Sequence, residues 1–392
     1  MKILHIIPSY LPAKLASGPI KPTHALNKEL VKKGVEVVVY TTNLDGQEIL
    51  DVPLNREIDV EGVKVFYFPI TFKPWQYSYS LHRVLAKNIK NFDLIHMTSI
   101  FLSVSTLGAY YAKKFKKPYI ISPHGSLMQE PLRRHSIKKK IYLSLIEKRN
   151  LTNVSAIHFV TDKEKNDYLA TGFFLKKAVI IPNAINFNEF KNQPSVGYFR
   201  DKFKISSGGK IILFLARLHP IKGLDTLIPA FAEVIRKEPT AVLILAGPDE
   251  EGYKRNVQLL IANYQLQDKV IFTDMLTGND KTAAFKESDV FVLPSYSEAL
   301  SIATLEAMFF NLPIIITKNS GLAEIVVDVG AGIVIEKDEK QLTEAILKIL
   351  NNPELAKKMG ENGRKLVETE FSSEKVAEKW IEEYRNLIKN IN

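Results

Sequence analysis

The chain is expected to be an α/β protein built from two facing Rossmann-like, doubly wound domains with a ligand cleft between them. Three observations predict this. At 392 residues the chain is longer than one ordinary core organises. Short β-branched runs alternate with segments of helical period along its whole length. The alternation lapses in a polar stretch near the middle and then begins again.

In the first half, residues 3–7 are an apolar run closed by Pro8, a buried first strand. Leu26, Leu30 and Val31 then recur at helical spacing, with Pro19 and Pro22 in the first turn, where a missing N–H does little harm, and Gly34 as the stop. The run at 35–41, Val-Glu-Val-Val-Val-Tyr-Thr, completes a βαβ unit. Further strands are expected at 63–68, 93–96, 118–122, 156–160 and 179–181. A polar stretch over 188–210 contains Asn192-Gln193-Pro194 and Ser206-Ser207-Gly208-Gly209 and reads as the domain junction. Strands resume at 211–215, 241–246, 270–272, 290–293 and 313–317. Over 372–392, Val376, Trp380, Ile381, Tyr384, Leu387 and Ile388 form a helical stripe that must pack on something. The expected division is 1–190 for a first domain, 191–371 for a second, and 372–392 for a helix returning to the first domain.

Composition narrows the function. There is no cysteine, which excludes disulfides and thiolate metal sites. No apolar run reaches the ~18 residues of a membrane span, and the start lacks the pattern of a secretory signal. A cytoplasmic location is expected. The net charge of +10 is uneven: residues 1–200 hold 29 Lys+Arg against 15 Asp+Glu, and residues 201–392 hold 24 against 28. The basic half suits an anionic partner, a phosphate-bearing ligand, a membrane or a nucleic acid, or else is a solvated Lys-rich surface. Within it, residues 132–143 mix basic residues with Ile137 and Ile141, which suggests peripheral contact with anionic lipid on the inner face of the membrane, or else an ordinary surface helix. No nucleic-acid recognition motif accompanies the charge, so no nucleic-acid partner is expected. The eight histidines show no metal-ligand spacing. His5, His96 and His158 flank apolar strands as core residues, and His24 lies on the first helix. An aromatic loop holds Trp75, Tyr77 and Tyr79, suited to stacking on a sugar or to packing on the sheet.

Chemistry concentrates in two segments. After the strand at 290–293 come Glu298 and, eight positions later, Glu306, about two helical turns apart. A helix starting near Ser301 would leave the N–H groups of Leu300, Ser301 and Ile302 free to hold a phosphate between two carboxylates that bind hydroxyls. After the strand at 211–215, Arg217 and Lys222 lie on a loop turned by Pro220 and Gly223, where two cations could neutralise a diphosphate leaving group.

Together these segments resemble the family-4 retaining glycosyltransferases of the GT-B fold, bacterial envelope-polysaccharide type. The residues carrying the resemblance are Ser17-Gly18, Pro123-His124-Gly125, Pro182-Asn183-Ala184-Ile185-Asn186, the Arg217 to Gly223 loop, Ala246-Gly247, the Glu298-x7-Glu306 motif and Gly321-Leu322-Ala323-Glu324. The resemblance implies that Glu306 binds the nucleotide ribose and that Glu298 holds the donor sugar. It implies that Arg217 and Lys222 grip the diphosphate, helped by the amides of Leu300, Ser301 and Ile302. Gly18 would let the backbone approach the diphosphate or acceptor, and His124 would sit beneath the sugar. The base would lie near residues 272–276, so Phe272 and Met275 join the donor site.

The chain departs from the family pattern in places: Ser17-Gly18 for Gly-Gly, Glu298-Ala299-Leu300-Ser301 for Glu-Gly-Phe-Gly, Asp274 for a glycine and Asn186 for an aspartate. It contains no Asp-x-Asp, the usual mark of a metal-dependent transferase. The missing Asp-x-Asp points to metal-free chemistry, and the resemblance implies cofactor-free, retaining hexosyl transfer from a UDP-sugar, with glucose or a related hexose favoured, to a saccharide or a lipid-diphosphate-linked acceptor. A GDP-mannose-dependent mannosyltransferase and a nucleotide-sugar epimerase of the same fold are the alternatives.

Overall fold

The structure is a computed structural model that describes residues 1–13, 18–128, 142–190 and 194–389. Contacts divide it into two compact units, Met1–Ala184 with Ser373–Asn392, and Ile185–Ser372.

The first unit is built on a sheet of eight strands ordered β10-β9-β8-β7-β1-β2-β6-β5. In chain order these are β1 (Lys2–Ile6), β2 (Glu36–Thr42), the short hairpin strands β3 (Leu44–Asp45) and β4 (Glu48–Ile49) outside the sheet, β5 (Glu57–Val60), β6 (Val63–Phe68), β7 (Leu94–Thr98), β8 (Tyr119–Ser122), β9 (Ala156–Phe159) and β10 (Ala178–Ile180). All pairings in the large sheet are parallel except β5 with β6. Both faces are covered, which is why the strands read as continuous apolar runs. Leu4 and Ile6 enter one core with Ile95, Met97, Ile121 and Ile157. Ile3 and Ile7 enter the other with Val37, Val39, Leu94 and Ile120.

The C-terminal helix Ser373–Lys389 closes that second face: Val376, Ala377, Trp380, Ile381, Tyr384 and Leu387 are buried in the core containing Ile3 and Ile7. It lies beside the helix Ile20–Lys32, to which Lys33 adds an ion pair with Glu378 at 3.0 Å.

The second unit has six strands ordered β13-β12-β11-β14-β15-β16: β11 (Ile211–Leu215), β12 (Val242–Ala246), β13 (Val270–Asp274), β14 (Val290–Leu293), β15 (Ile314–Thr317) and β16 (Gly332–Ile335). All pairings are parallel. This is the strand order of a dinucleotide-binding sheet.

The polar stretch read as a junction is a working part of the second unit. Its helix Tyr198–Phe203 buries Phe199 completely, and the amides of Phe199 and Arg200 each donate to the Glu287 carboxylate at 3.0 Å. The units therefore divide after Ala184 and after Ser372 rather than after 190 and 371. Arg200 folds back on its own loop, donating to the carbonyls of Ser206 and Gly209.

Candidate functional site

Each sheet has one place where strand order reverses, between β1 and β7 in the first unit and between β11 and β14 in the second. Loops leaving the carboxyl ends of strands at such a point turn to opposite faces and leave a crevice that ligands use.

In the second unit the two loops at that point carry the residues singled out from sequence. The loop after β11 holds Arg217 and Lys222; the loop after β14 holds Glu298, Leu300 and Ser301. They are packed tightly. Gly223 has φ +76°, and a Cβ there would lie 2.0 Å from the Pro294 carbonyl oxygen, so no other residue fits. The Tyr296 amide donates to the Ile221 carbonyl at 2.8 Å. A third loop joins through Gly247, whose added Cβ would lie 1.9 Å from the Ala216 carbonyl oxygen. The loop after β15 joins through Glu298, whose amide donates to Asn319 at 3.2 Å and whose carbonyl accepts from Gly321 at 2.8 Å.

Each of the four predicted charged groups, Arg217, Lys222, Glu298 and Glu306, is held in an ion pair. Lys222 Nζ contacts Glu298 Oε2, with both side chains largely buried. Arg217 pairs with Glu250 and is about half exposed. The helix Ile302–Phe309 begins where predicted, with Ser301 as its cap, the hydroxyl accepting from the Thr304 amide at 3.1 Å. The amides of Leu300, Ser301 and Ile302 make no hydrogen bond to a described residue. Glu306 lies on that helix, 6% exposed, and its Oε1 accepts from Lys281 Nζ at 2.5 Å.

At the neighbouring edge, Phe272 is half-buried beneath Lys254, whose ammonium stands 5.1 Å from the ring centroid. Lys254 also pairs with Asp274 at 2.9 Å. Asp274 takes φ 54°, the left-handed region that its missing glycine would occupy without strain. Met275 is 48% exposed and Leu276 is buried.

Lys281, Glu250 and Lys254 were not found from sequence. Lys281 lies on the helix Gly278–Glu287, 25 positions before its partner, and no spacing marks it.

In the first unit, Gly18 takes φ +93° with open space around its missing Cβ. Its neighbour Ser17, and the basic stretch at 132–141, lie outside the described residues. His124 follows β8 and takes φ 47°, with Gly125 at φ 80°. His124 is half-buried and meets the ring of His158 edge-on, centroids 5.9 Å apart. His5, Thr98, Ser122, His124, Asn183 and Trp380 are among the residues lining a small pocket here.

Of the histidines read as core residues, His5 bonds to Asn27 at 3.0 Å and Thr98 at 2.7 Å, while His96 and His158 form a hydrogen-bonded chain. The Ile181 carbonyl can only accept, so His158 donates to it from Nε2 at 2.7 Å. His158 Nδ1 then accepts from the Ser122 hydroxyl at 2.8 Å. Ser122 Oγ accepts from His96 Nε2 at 2.7 Å, and His96 Nδ1 accepts from Tyr384 at 2.7 Å. These directions hold with both imidazoles neutral, the form their burial favours. Burial pushes His158 and His5 down to about 4, His124 to about 3 and His96 well below the usual value, and for His96 and His124 neighbouring imidazoles add to the effect. His24 is buried and receives a hydrogen bond from Tyr10 at 2.9 Å. In the aromatic loop, Trp75 and Tyr79 are more than half exposed, while Tyr77 is tied to His82 at 2.9 Å.

Residues 198–366 match the family model of group 1 glycosyl transferases, and residues 23–189 match that of glycosyltransferase family 4. The chain is 25% identical over 370 residues to the alpha-monoglucosyldiacylglycerol synthase of Streptococcus pneumoniae, covering 89% of this chain and 78% of that one. Among solved structures it resembles the sucrose-phosphate synthase of Thermosynechococcus elongatus, with TM-score 0.79, 22% identity and complete coverage of both chains. It also resembles HepE of Anabaena in complex with UDP-glucose, with TM-score 0.76, 17% identity, and coverage of 98% of this chain and all of that one.

Proposed function

The chain belongs to the GT-B glycosyltransferases of the family-4 type, enzymes of polysaccharide or glycolipid synthesis, and from that premise we propose that it is a retaining, metal-independent hexosyltransferase using a UDP-sugar. The observation that carries this reading is the grouping at the β11/β14 reversal: two cations, three unengaged amides and two carboxylates on two interlocked loops and one helix.

In this reading Glu306 binds the ribose hydroxyls, and the half-buried Phe272 with Met275 flanks the base. Arg217, Lys222 and the amides of Leu300, Ser301 and Ile302 hold the diphosphate. Glu298 binds hydroxyls of the sugar. The C1–oxygen bond to the diphosphate breaks as the acceptor oxygen bonds to C1 on the same face, and the departing phosphate oxygen takes the acceptor proton. The negative charge that develops on the diphosphate meets fixed cations and amide dipoles, the role a metal ion fills elsewhere. No cofactor is needed beyond the donor. Lys222 and Arg217 each have a carboxylate partner, and a diphosphate would replace those partners.

UDP-glucose is favoured because a structural neighbour is described with that ligand and a relative is named an alpha-monoglucosyldiacylglycerol synthase. A lipid-linked acceptor suits the first unit, where residues 62–128 hold nine Lys+Arg and one acidic residue and where Phe72, Trp75, Tyr79 and Tyr110 are exposed. Among the described residues no helix is long and apolar enough to cross a membrane. The membrane contact we propose is therefore peripheral, and failure to sediment with anionic liposomes at low salt would remove it.

The test of the donor is calorimetry in EDTA with UDP-glucose, UDP-N-acetylglucosamine, UDP-galactose and GDP-mannose against wild type and Glu306→Ala. Metal-free binding of a UDP-sugar that the variant loses supports the reading. Selective binding of GDP-mannose replaces the donor, and an epimerised donor without nucleotide release replaces the reaction.

A further inference from the structure

We propose that Glu164 is the positioning residue that fixes the His124-Gly125 turn for the transfer reaction. The inference rests on the reading that this turn serves catalysis, but the geometry behind it is independent of that reading.

β8 and β9 pair in parallel through Ile120 with Ala156 and Ile121 with Ile157. Beyond Ser122 the ladder cannot continue. Pro123 has no N–H to give, and the chain bends through two successive left-handed residues, His124 at φ 47° and Gly125 at φ 80°. A non-glycine residue in that region persists only where its surroundings over-determine it. The Glu164 carboxylate does so. Its Oε1 accepts the Gly125 amide at 2.5 Å and its Oε2 accepts the Val160 amide at 2.8 Å. One side chain thus takes the place of the ladder where the two strand ends separate.

The carboxylate is itself held firmly. Glu164 is 1% exposed and lies in the first turn of the helix Asp162–Leu169. Its own amide donates to the hydroxyl of the cap residue Thr161 at 3.3 Å. Each carboxylate oxygen is engaged by a backbone amide, so the group does not touch a ligand and acts only through the turn. The His124 imidazole makes no hydrogen bond to a described residue. With no hydrogen-bond partner among the described residues and only the edge-on His158 ring beside it, the ring is placed by the backbone of the turn, and that backbone is tied to Glu164.

Glu164→Gln leaves one acceptor and sets an NH2 against a second amide donor; Glu164→Asp keeps the charge on a shorter arm. Both are compared with wild type by three readouts: histidine-labelled NMR with the His124 signal assigned through His124→Ala, calorimetric affinity for UDP-glucose, and nucleotide release with acceptor. The expected result is a displaced His124 signal, an unmoved signal from His219, which precedes Pro220 in the second unit, unchanged donor affinity and turnover lower by about 10- to 100-fold, with a milder change in Glu164→Asp. A folded Glu164→Gln or Glu164→Asp with the wild-type His124 signal overturns the proposal. A displaced signal with full turnover in both Glu164→Gln and His124→Ala supports the hold on the turn and overturns the catalytic reading of His124.

Discussion

Glu306 and Lys281 make the donor site sensitive to single side chains. The Lys281 ammonium is 2.5 Å from Glu306, with side chains 15% and 7% exposed, so the pair is mostly out of water. Removing one partner of a buried pair strands the other's charge, which costs about 3–5 kcal/mol. Lys281→Met is therefore expected to lower the second unit's urea midpoint sharply, and the double variant Lys281→Met/Glu306→Met to recover most of it; equal midpoints for Lys281→Met and wild type would refute the coupling. Glu306→Ala should cost roughly 2–4 kcal/mol of nucleotide binding, about 30- to 1000-fold in Kd, while Glu298→Ala should lower turnover more than nucleotide affinity. Glu298 and Glu306 could be picked out from sequence because a loop and one helix hold both at a fixed spacing. Lys281 could not, because only the packing of a separate helix brings it there. Glu250 is hidden for the same reason: a different loop carries it to Arg217.

At the scale of elements, sequence period was most informative where strands are buried on both faces. The runs expected at 211–215 and 290–293 are β11 and β14 to the residue, and the run at 63–68 is β6 although Lys64 there is exposed. β5 escaped because Glu57–Val60 is an antiparallel edge with alternating exposure and two acids in four residues. β16 opens on Gly332, a poor strand former in isolation. There a Cβ would lie 2.2 Å from the Ile314 carbonyl oxygen, so the glycine permits the close pairing that sequence alone does not announce. The C-terminal stripe was legible as amphipathic, but its partner was not. It is a sheet face more than two hundred positions away in the chain, and Trp380 packs there against His96 and His158 with ring centroids 4.6 and 4.7 Å apart. Trp380→Ala should destabilise the first unit by about 3–5 kcal/mol, seen as an earlier transition in urea followed by circular dichroism. A change below about 1 kcal/mol, the size of a surface substitution, would mean the helix is dispensable.

For the whole molecule, the two units should respond differently to acid, because the buried imidazoles lie in the first. His5 and His158 are held to about 4, His124 to about 3 and His96 lower still, against an ordinary value of 6.5. The unfolded chain therefore binds more protons than the folded one between these values and 6.5. Stability from these groups is complete above pH 6.5 and falls as pH drops toward 4, each contributing about 1.4 kcal/mol per pH unit. Glu164 works the other way: burial raises its carboxyl to about 7, so its penalty is present at neutral pH and relieved as pH falls. Burial also raises Glu147. Burial lowers His24 as well, so the lowered imidazoles outnumber the raised carboxyls and the net effect is a loss of stability as pH falls below 6.5. Both tryptophans, Trp75 and Trp380, belong to the first unit, so tryptophan fluorescence follows that unit alone. Urea midpoints read this way should fall steeply from pH 6.5 to 4.5. A flat profile would mean the imidazole chain accepts protons without unfolding, contrary to the fixed polarity running from Tyr384 through His96, Ser122 and His158 to Ile181. Replacing His96 by Gln, which removes one titrating member, should flatten the profile in proportion, separating the imidazole contribution from any general effect of the protein's positive charge.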